Sequence, residues 1–209
     1  IISYKKKGKK ISGIIATDYA GQPCDWKSIR SIADKYNIKT INDNCHAIGA
    51  CIDNNKKYAI KYADVVTHSY HPVKNITSGE GGAVLTQSRS IDQKVKILRS
   101  HGVNRCRANE PWHYEMNELG FNYRISDIHC ALGISQLKKL DFFVRKRKLI
   151  ADRYNLAFKN IENIEIPKIY DNHSHAYHLY PIRIDFKKFN INKNLFFRKL
   201  KKRKINLQV

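Results

Sequence analysis

One lysine in this sequence is placed where a reactive amine would be useful. The stretch HSYHPVKNITSGEGGAV (68–84) holds a single lysine, Lys74, between histidines and glycines. Many other lysines lie in clusters, such as KKKGKK at 5–10. Glycines let the backbone approach a ligand closely, and a lysine amine attacks carbonyl groups once its pKa falls below the usual value of about 10.4. The sequence leaves open the alternative of a loop lysine with its head in water.

A second candidate is Asp43, at the end of the apolar segment IKTIND (38–43). Parallel strands bring their carboxyl ends to one edge of a sheet, where open α/β proteins bind ligands. A carboxylate opposite a lysine-held cofactor is what a pyridoxal phosphate enzyme needs, because the carboxylate keeps the pyridine nitrogen protonated and the ring able to accept electrons. The alternative for Asp43 is a simple strand-end cap.

Strands alternate with helices around both residues. Apolar segments predict strands at 11–18, 38–43, 62–70 and 81–87. Helical spacing of apolar residues predicts a helix at 26–37, capped by Asp25, and another at 90–102 that ends at Gly102. Residues 103–125 are irregular and aromatic, and a long helical region starts at Ser126 and Asp127. This order predicts an α/β fold with a largely parallel sheet that is covered by helices on both faces.

The pattern of predicted helices and strands changes after about residue 160. Segments 164–169 and 175–186 predict strands, and 192–207 predicts an amphipathic helix. We therefore expect a large domain over residues 1–160 and the start of a smaller α+β domain over 161–209. Because the chain does not begin with methionine and contains only Met116, we expect it to be a piece of a longer protein.

Charge and cysteine content limit the function classes. The formal net charge of +21 suits a nucleic-acid-binding protein, but the basic residues are spread along the whole chain, so a solvated basic surface is the competing interpretation. Five scattered cysteines without a CxxC pair indicate a reducing cytoplasm and argue against a structural zinc site. No apolar run approaches the roughly 18 residues of a membrane span, and the N-terminal segment does not resemble a signal peptide.

Four segments together resemble a known family. DYAGQPCD, INDNCHAIGA, HSYHPVKNITSGEGGAVLT and MNELGFNYRISDIHCALGISQLKKLD are similar to successive blocks of the DegT/DnrJ/StrS sugar aminotransferases, which are fold-type-I enzymes that use pyridoxal 5'-phosphate. The HPVK and TSGEGG blocks are most similar to the branch that makes UDP-4-amino-4,6-dideoxy-N-acetyl-β-L-altrosamine on the way to pseudaminic acid. The resemblance extends over nearly all of the chain. It implies that residues 1–160 are the later part of the cofactor-binding large domain.

The resemblance implies a role for each matching residue. Lys74 would hold the cofactor covalently and then act as the acid and base of the proton transfer. Asp43 would pair with the pyridinium nitrogen, and His46 would lie near the cofactor ring or its 3-hydroxyl. Ser69 would donate its hydroxyl to the cofactor phosphate. Asn122 would reach the phosphate of the neighbouring subunit's cofactor, so that the active site belongs to a homodimer.

The implied reaction is the transfer of an amino group from glutamate to C4 of a UDP-linked 4-keto-6-deoxy-N-acetylhexosamine. Two departures from the family pattern stand out: Asn42 replaces the usual acidic residue, and the family's N-terminal and C-terminal parts are missing. We expect the 209-residue piece alone to bind pyridoxal phosphate poorly and not to transaminate. The alternatives are another nucleotide-sugar aminotransferase, a degenerate relative without turnover, and a non-enzymatic nucleic-acid-binding protein. Lys74 argues against a sugar dehydratase of the same fold, which would carry histidine there.

Other histidines and aromatic residues invite weaker hypotheses. HSHAYH (173–178) could ligate a metal, but a surface cluster is the favoured interpretation. His71 is a candidate for facing the substrate, whereas His68 is expected to pack in its strand. Trp112, Tyr114 and Phe121 could stack on a sugar or simply anchor a loop.

Overall fold

A four-stranded sheet organises the first half of the chain. The computed structural model describes residues 1–104, 110 and 112–209. The sheet order is β1-β2-β4-β5, and its strands are β1 (Gly13–Thr17), β2 (Lys39–Asp43), β4 (Val65–Ser69) and β5 (Gly82–Leu85). The first three are parallel, and β5 runs antiparallel to β4. Because β4 and β5 are joined without a crossover helix, the chain must reverse between them, and Lys74 lies in that reversal.

Seven α-helices and six short strands complete the described residues. The helices are α1 (Ile2–Lys6), α2 (Trp26–Tyr36), α3 (Tyr58–Tyr62), α4 (Arg89–Leu98), α5 (Asp127–Leu137), α6 (Leu140–Phe158) and α7 (Lys193–Lys202). The short strands form antiparallel pairs: β3 (Cys51–Ile52) with β9 (His173–Ser174), β6 (Val103–Asn104) with β7 (Glu115–Met116), and β8 (Ile164–Glu165) with β10 (Arg183–Ile184). A 3-10 turn covers Tyr19–Gly21.

Local sequence explains where α2 begins and ends. The Asp25 side chain accepts a hydrogen bond from the backbone N–H of Ser28 at 3.1 Å, which satisfies a helix-end donor that would otherwise lack a partner. The helix ends at Asn37, whose φ of 50° lies in the left-handed region that asparagine tolerates. Trp26 and Ala33 are fully buried on the inner face of this helix. The predicted N-cap is therefore confirmed.

The buried core lies between the sheet and the helices that follow its strands. Its largest members are Trp26, Tyr58, Ile52 and Val66, each 2% exposed or less. Other apolar surface stays open: Ile15 of β1 is 72% exposed, and α5 has no buried residue. No helix among the described residues is both long and apolar enough to cross a membrane.

The chain separates into two compact units. One comprises residues 1–148 and 169–179, and the other comprises 149–168 and 180–209. Within the second unit, the rings of Tyr154, Phe158 and Tyr180 pack together, and the Tyr180 hydroxyl donates to Asn155 Oδ1 at 2.7 Å. The division of the chain into domains at residues 160 and 161 stays a prediction.

Several element bounds differ from those predicted. Helix α4 ends at Leu98 rather than at Gly102, because the chain turns there and the Gly102 N–H closes back onto the Ile97 carbonyl at 3.0 Å. The long helical region is interrupted between Leu137 and Leu140, which gives α5 and α6. Only residues 183–184 of the segment 175–186 are a strand.

Candidate active site

Two aspartates end neighbouring strands, and the structure gives them different environments. Asp18 follows β1 and is fully buried. Its Oδ1 accepts from the Cys24 N–H and the Trp26 indole N–H, both at 2.8 Å. Its Oδ2 accepts from the amide groups of Asn42 and Asn44 and from the Tyr58 hydroxyl, at 2.7–3.0 Å. With five donors in place, this carboxylate has a structural role and no free lone pair directed at a ligand.

Asp43 at the end of β2 has fewer partners. It lies in register with Thr17 of β1 and Thr67 of β4, so three strand ends meet there. Its Oδ1 accepts from the Cys45 N–H at 3.2 Å, and its Oδ2 accepts from the Thr17 hydroxyl at a long 3.4 Å. Burial works to raise the pKa of Asp43, but the hydrogen bonds from Cys45 and Thr17 and the nearby His46 outweigh it and leave that pKa below its usual value. The carboxyl group is therefore ionised at neutral pH and still has room to accept a further donor.

Lys74 lies in the connection between β4 and β5, a hairpin that covers residues 70–81. Its backbone N–H donates to the His71 carbonyl at 3.0 Å. The hairpin closes through Ser78 N–H and Thr77 Oγ1, which both donate to the Tyr70 carbonyl. Gly81 has a φ of +135°, and a Cβ built there would lie 2.7 Å from Ile125 Cδ1, so this position requires glycine. The Lys74 side chain is half-buried.

His46 connects Lys74 and Asp43 electrostatically. Burial lowers its pKa, the Lys74 ammonium lowers it further, and the Asp43 carboxylate opposes both. The net result is an imidazole that is neutral at pH 7. Its Nδ1 accepts a hydrogen bond from the Ala20 N–H at 3.3 Å, so the proton of the neutral ring is on Nε2. The Lys74 ammonium and the Asp43 carboxylate therefore both lie near enough to His46 to influence its pKa.

A segment that is distant in sequence covers this place. The His178 ring packs on the His46 ring with centroids 4.4 Å apart. Burial, together with the charges of His46, Lys74 and Arg147, lowers the pKa of His178 to about 4. Arg147 of α6 donates to the carbonyls of Tyr177 and His178 at 3.1 and 3.2 Å, which holds the segment 175–179 in place. His178 Nδ1 is buried and has no hydrogen-bond partner among the described residues.

Cys45 is a neighbour of both charged groups. Burial raises the pKa of its thiol to about 11, with Asp43 adding to the rise through a hydrogen bond and its charge, while Thr67 and Lys74 act in the opposite direction. The thiol is therefore protonated at neutral pH and is a poor nucleophile. We assign it a packing role beside Asp43.

Ser69 and Asn122 fall in different surroundings. Ser69 ends β4 and is half-buried, and its Oγ accepts from the His71 N–H at 3.5 Å. Asn122 is exposed, and its backbone forms a bridge with Ser100. Among the described residues, no hydrogen bond joins it to Lys74. Its role at a neighbouring subunit stays a prediction.

The surface interpretation of HSHAYH is wrong. His175 is 4% exposed, and its Nδ1 accepts from the Tyr177 N–H at 2.8 Å. His173 Nδ1–H donates to the Asp171 carbonyl, and the His178 ring packs on the His46 ring. The backbone of Tyr177, which lies between His175 and His178, is left-handed with φ 48°. No group of three or more metal-ligating side chains occurs in residues 1–104, 110 and 112–209.

The remaining histidines and aromatic residues have simple environments. His68 is largely buried in β4, and burial lowers its pKa to about 4, as expected for a packed strand residue. His71 is exposed and lies 3.9 Å from Glu80. Trp112 is 75% exposed, Tyr114 58% and Phe121 51%, so their proposed part in a sugar pocket stays a prediction. Cys106 lies outside the described residues.

The arrangement suits pyridoxal phosphate chemically. The Lys74 amine can bond to an aldehyde, the ionised Asp43 carboxylate can hold a pyridine nitrogen in its protonated form, and the Ser69 hydroxyl can donate to a phosphate. Neutral His46 offers an Nε2–H donor or a flat ring surface. Sequence reasoning missed Asp18, Arg147 and the contact of His178 with His46. Asp18 carried the same signal as Asp43, an acidic residue that ends an apolar segment.

Comparisons with known proteins show which family the chain resembles. The profile of the DegT/DnrJ/EryC1/StrS aminotransferase family matches residues 5–209. A UDP-4-amino-4,6-dideoxy-N-acetyl-β-L-altrosamine transaminase of Campylobacter jejuni is 41% identical over 204 residues, which cover 98% of this chain and 53% of the relative. The spore coat polysaccharide biosynthesis protein SpsC of Bacillus subtilis is 30% identical over 197 residues, or 92% of this chain and 50% of the relative.

Solved structures give the same result. The structure of Helicobacter pylori PseC, an aminotransferase involved in the biosynthesis of pseudaminic acid, superimposes with a TM-score of 0.82 at 31% identity. The superposition covers 95% of this chain and 52% of the PseC chain. The chain thus spans about half the length of the curated relatives it matches. The predicted fold-type-I α/β architecture is confirmed.

Proposed function

Because this chain belongs to the DegT/DnrJ/EryC1/StrS aminotransferase family, we propose that the protein is a pyridoxal-phosphate-dependent transaminase of nucleotide-linked keto sugars. The substrate pair that we propose is glutamate and a UDP-linked 4-keto-6-deoxy-N-acetylhexosamine, with the amino group going to C4 of the sugar. The Campylobacter jejuni transaminase and Helicobacter pylori PseC support this choice, because they act in the branch that the HPVK and TSGEGG blocks resemble.

The observation that carries the proposal is the shared electrostatic environment of Lys74, Asp43 and His46. The charges of Lys74 and Asp43 both act on the pKa of His46. Asp43 ends β2 and His46 follows it, while Lys74 lies in the hairpin after the neighbouring strand β4. A cofactor ring needs an amine and a carboxylate at opposite ends, with a flat group beside it. A solvated loop lysine would have neither neighbour.

Bound pyridoxal phosphate would supply a carbonyl that accepts the amino group and a ring that takes up an electron pair. Lys74 Nζ would remove the proton from Cα of glutamate and later deliver a proton to C4 of the sugar. Asp43 stays ionised because its pKa is depressed, and it would hold the proton on the ring nitrogen. His46 would lie against the ring as a neutral imidazole, with its Nε2–H as the donor.

The remaining parts of the proposal concern the whole protein. We propose that residues 1–160 belong to the large domain and that residues 161–209 begin the small one. Ser69 would bind the cofactor phosphate, and Asn122 would serve the cofactor of a second subunit in a homodimer. The scattered cysteines support the cytoplasm as the compartment.

Covalent trapping in the full-length protein tests the proposal. Borohydride reduction with pyridoxal phosphate, followed by peptide mass spectrometry, should place the label on Lys74. K74A should lose both the label and amino transfer from glutamate, whereas K56A should keep both, because Lys56 is an exposed lysine paired with Asp141. D43N should keep the label but lose at least a hundredfold in turnover. A label spread evenly over the lysines would refute the assignment.

A further inference from the structure

The side chain next to Lys74 makes two hydrogen bonds to distant segments. Asn75 is 6% exposed. Its Nδ2 donates to the Ile48 carbonyl at 3.2 Å and to the Ala176 carbonyl at 3.0 Å. A primary amide has two N–H groups, so both are used. A single nitrogen atom therefore joins three parts of the chain.

Each of these three parts carries a residue of the candidate site. Asn75 directly follows Lys74, Ile48 lies two residues after His46, and Ala176 lies two residues before His178. The rings of these two histidines pack on each other, and both feel the charge of Lys74. The Asn75 amide thus connects the three segments that carry Lys74, His46 and His178.

Other hydrogen bonds of the hairpin stay within it or reach the adjoining end of β4, as the bond from the His71 N–H to Ser69 Oγ does. Thr77 Oγ1 donates to the Tyr70 carbonyl and accepts from the Gly79 N–H, and the Ser78 hydroxyl donates to the Glu80 carbonyl. These contacts shape the hairpin itself. The two hydrogen bonds of Asn75, in contrast, reach segments that are far from the hairpin in sequence.

The segments that Asn75 joins are also connected on their far side. The Ala176 N–H donates to the Gly21 carbonyl at 2.8 Å, and the neighbouring Ala20 N–H donates to His46 Nδ1 at 3.3 Å. The connections therefore form a closed circuit from the hairpin through residues 176, 20–21 and 46–48 and back to Asn75. Removing the Asn75 amide would break this circuit and make each of its segments more mobile.

We propose that Asn75 is a positioning residue that fixes the Lys74 amine relative to the His46 and His178 rings. The effect of Asn75 on catalysis rests on the proposed function. Its effect on the relative positions of the three segments does not. Asparagine is suited to this position because two donors on one atom must reach two carbonyl oxygens. Aspartate has no N–H group, serine has one donor, and glutamine adds a methylene group to a buried site.

The unsatisfied oxygen of the same side chain supports this interpretation. Asn75 Oδ1 is buried and has no hydrogen-bond partner among the described residues. A buried polar atom without a partner destabilises the folded protein. Asparagine occupies this position although its unpartnered oxygen is destabilising, which agrees with a requirement for its two N–H donors.

Hydrogen exchange in the full chain tests the mechanical role without any cofactor. In N75A, the amides of Ala20 and Ala176 should exchange at least tenfold faster, although both are remote from residue 75 in sequence. T77V is the matched control, because it removes the hydroxyl hydrogen bonds inside the hairpin and keeps the β-branched shape. It should accelerate exchange only within residues 70–81.

An N75A effect confined to residues 70–81 would overturn the proposal. If N75A does not fold, hydrogen exchange of the wild type in urea tests the proposal instead. Peptides covering 44–50, 70–81 and 175–179 should then open at rates that agree within twofold. Divergent opening rates would refute the coupling. In the loaded enzyme, N75A should lower kcat at least tenfold while KM for glutamate changes less than threefold. Absence of turnover in the wild type would refute the proposed function and leave the exchange result standing.

Discussion

The buried carboxylate of Asp18 allows a sharp test of how this fold is held together. In D18N an NH₂ group replaces one carboxylate oxygen. Because both carboxylate oxygens accept hydrogen bonds, this NH₂ group faces hydrogen-bond donors in either orientation of the amide. The less costly orientation puts it at Oδ1, opposite the N–H groups of Cys24 and Trp26. The other orientation would disrupt three hydrogen bonds at Oδ2, from Asn42, Asn44 and Tyr58.

The magnitude follows from the two hydrogen bonds lost at Oδ1. A hydrogen bond to a charged group contributes roughly 1.5–3 kcal/mol, so the free energy of unfolding should fall by about 3–6 kcal/mol. This is a large share of the roughly 5–15 kcal/mol by which domains are stable. A loss of about 3 kcal/mol would lower Tm by roughly 6–12 °C in a chain of this size.

Urea unfolding followed by circular dichroism measures this loss. D25N is the matched control, because it makes the same chemical change at an exposed N-cap, where asparagine and aspartate are about equally good. D25N should shift the free energy of unfolding by less than about 0.5 kcal/mol. If D18N is as stable as D25N, the five-donor account of Asp18 is wrong.

Two further predictions concern titrating groups. D43N should lower the pKa of the Cys45 thiol from its value of about 11, because Asp43 is second only to burial among the causes that raise it. Iodoacetamide at pH 9 should then modify Cys45 several-fold faster, while Cys24, whose pKa burial raises to about 12, stays slow; an unchanged Cys45 rate would contradict the coupling. Asp64 has a pKa of about 2, because hydrogen bonds from the Thr40 backbone, Arg30, Lys39 and the Thr40 hydroxyl outweigh its burial. Since that pKa lies below the unfolded value of about 3.9, the stability it contributes, ~1–2 kcal/mol, is present above pH 4 and lost as the pH falls toward 2. Urea midpoints of wild type and D64N should therefore converge between pH 4 and 2.5, and a constant difference would refute this.

The sequence alone was sufficient to select Lys74 and Asp43 as candidate site residues. Each is marked by local signals: an isolated lysine among glycines, and an acidic residue at the end of an apolar segment. These signals work because strand ends and glycine-rich turns are local features of the chain. The same reasoning predicted β1, β2, β4 and β5, the N-cap Asp25 and the helix start at Ser126 and Asp127.

The rest depended on contacts between distant residues. Asp18 has the same local signal as Asp43, and only the fold brings Asn42, Asn44 and Tyr58 to it and so gives it a different role. The pattern HSHAYH resembled a surface cluster, because no local signal reports the left-handed turn at Tyr177. The circuit through Asn75 joins residues about a hundred positions apart, beyond the reach of any periodicity.

The turn at Gly21 restricts how this protein can change over evolutionary time. Its φ is +106°, and a Cβ there would lie 2.8 Å from the Tyr177 nitrogen and 3.1 Å from the His178 nitrogen. Any substitution would have to displace the backbone that carries His178. Gly8 also has positive φ, but no atom lies within 4 Å of its Cβ position, so a side chain there meets only the conformational cost. Libraries that diversify this scaffold should therefore accept the conformational cost of a side chain at residue 8 and leave residue 21 as it is.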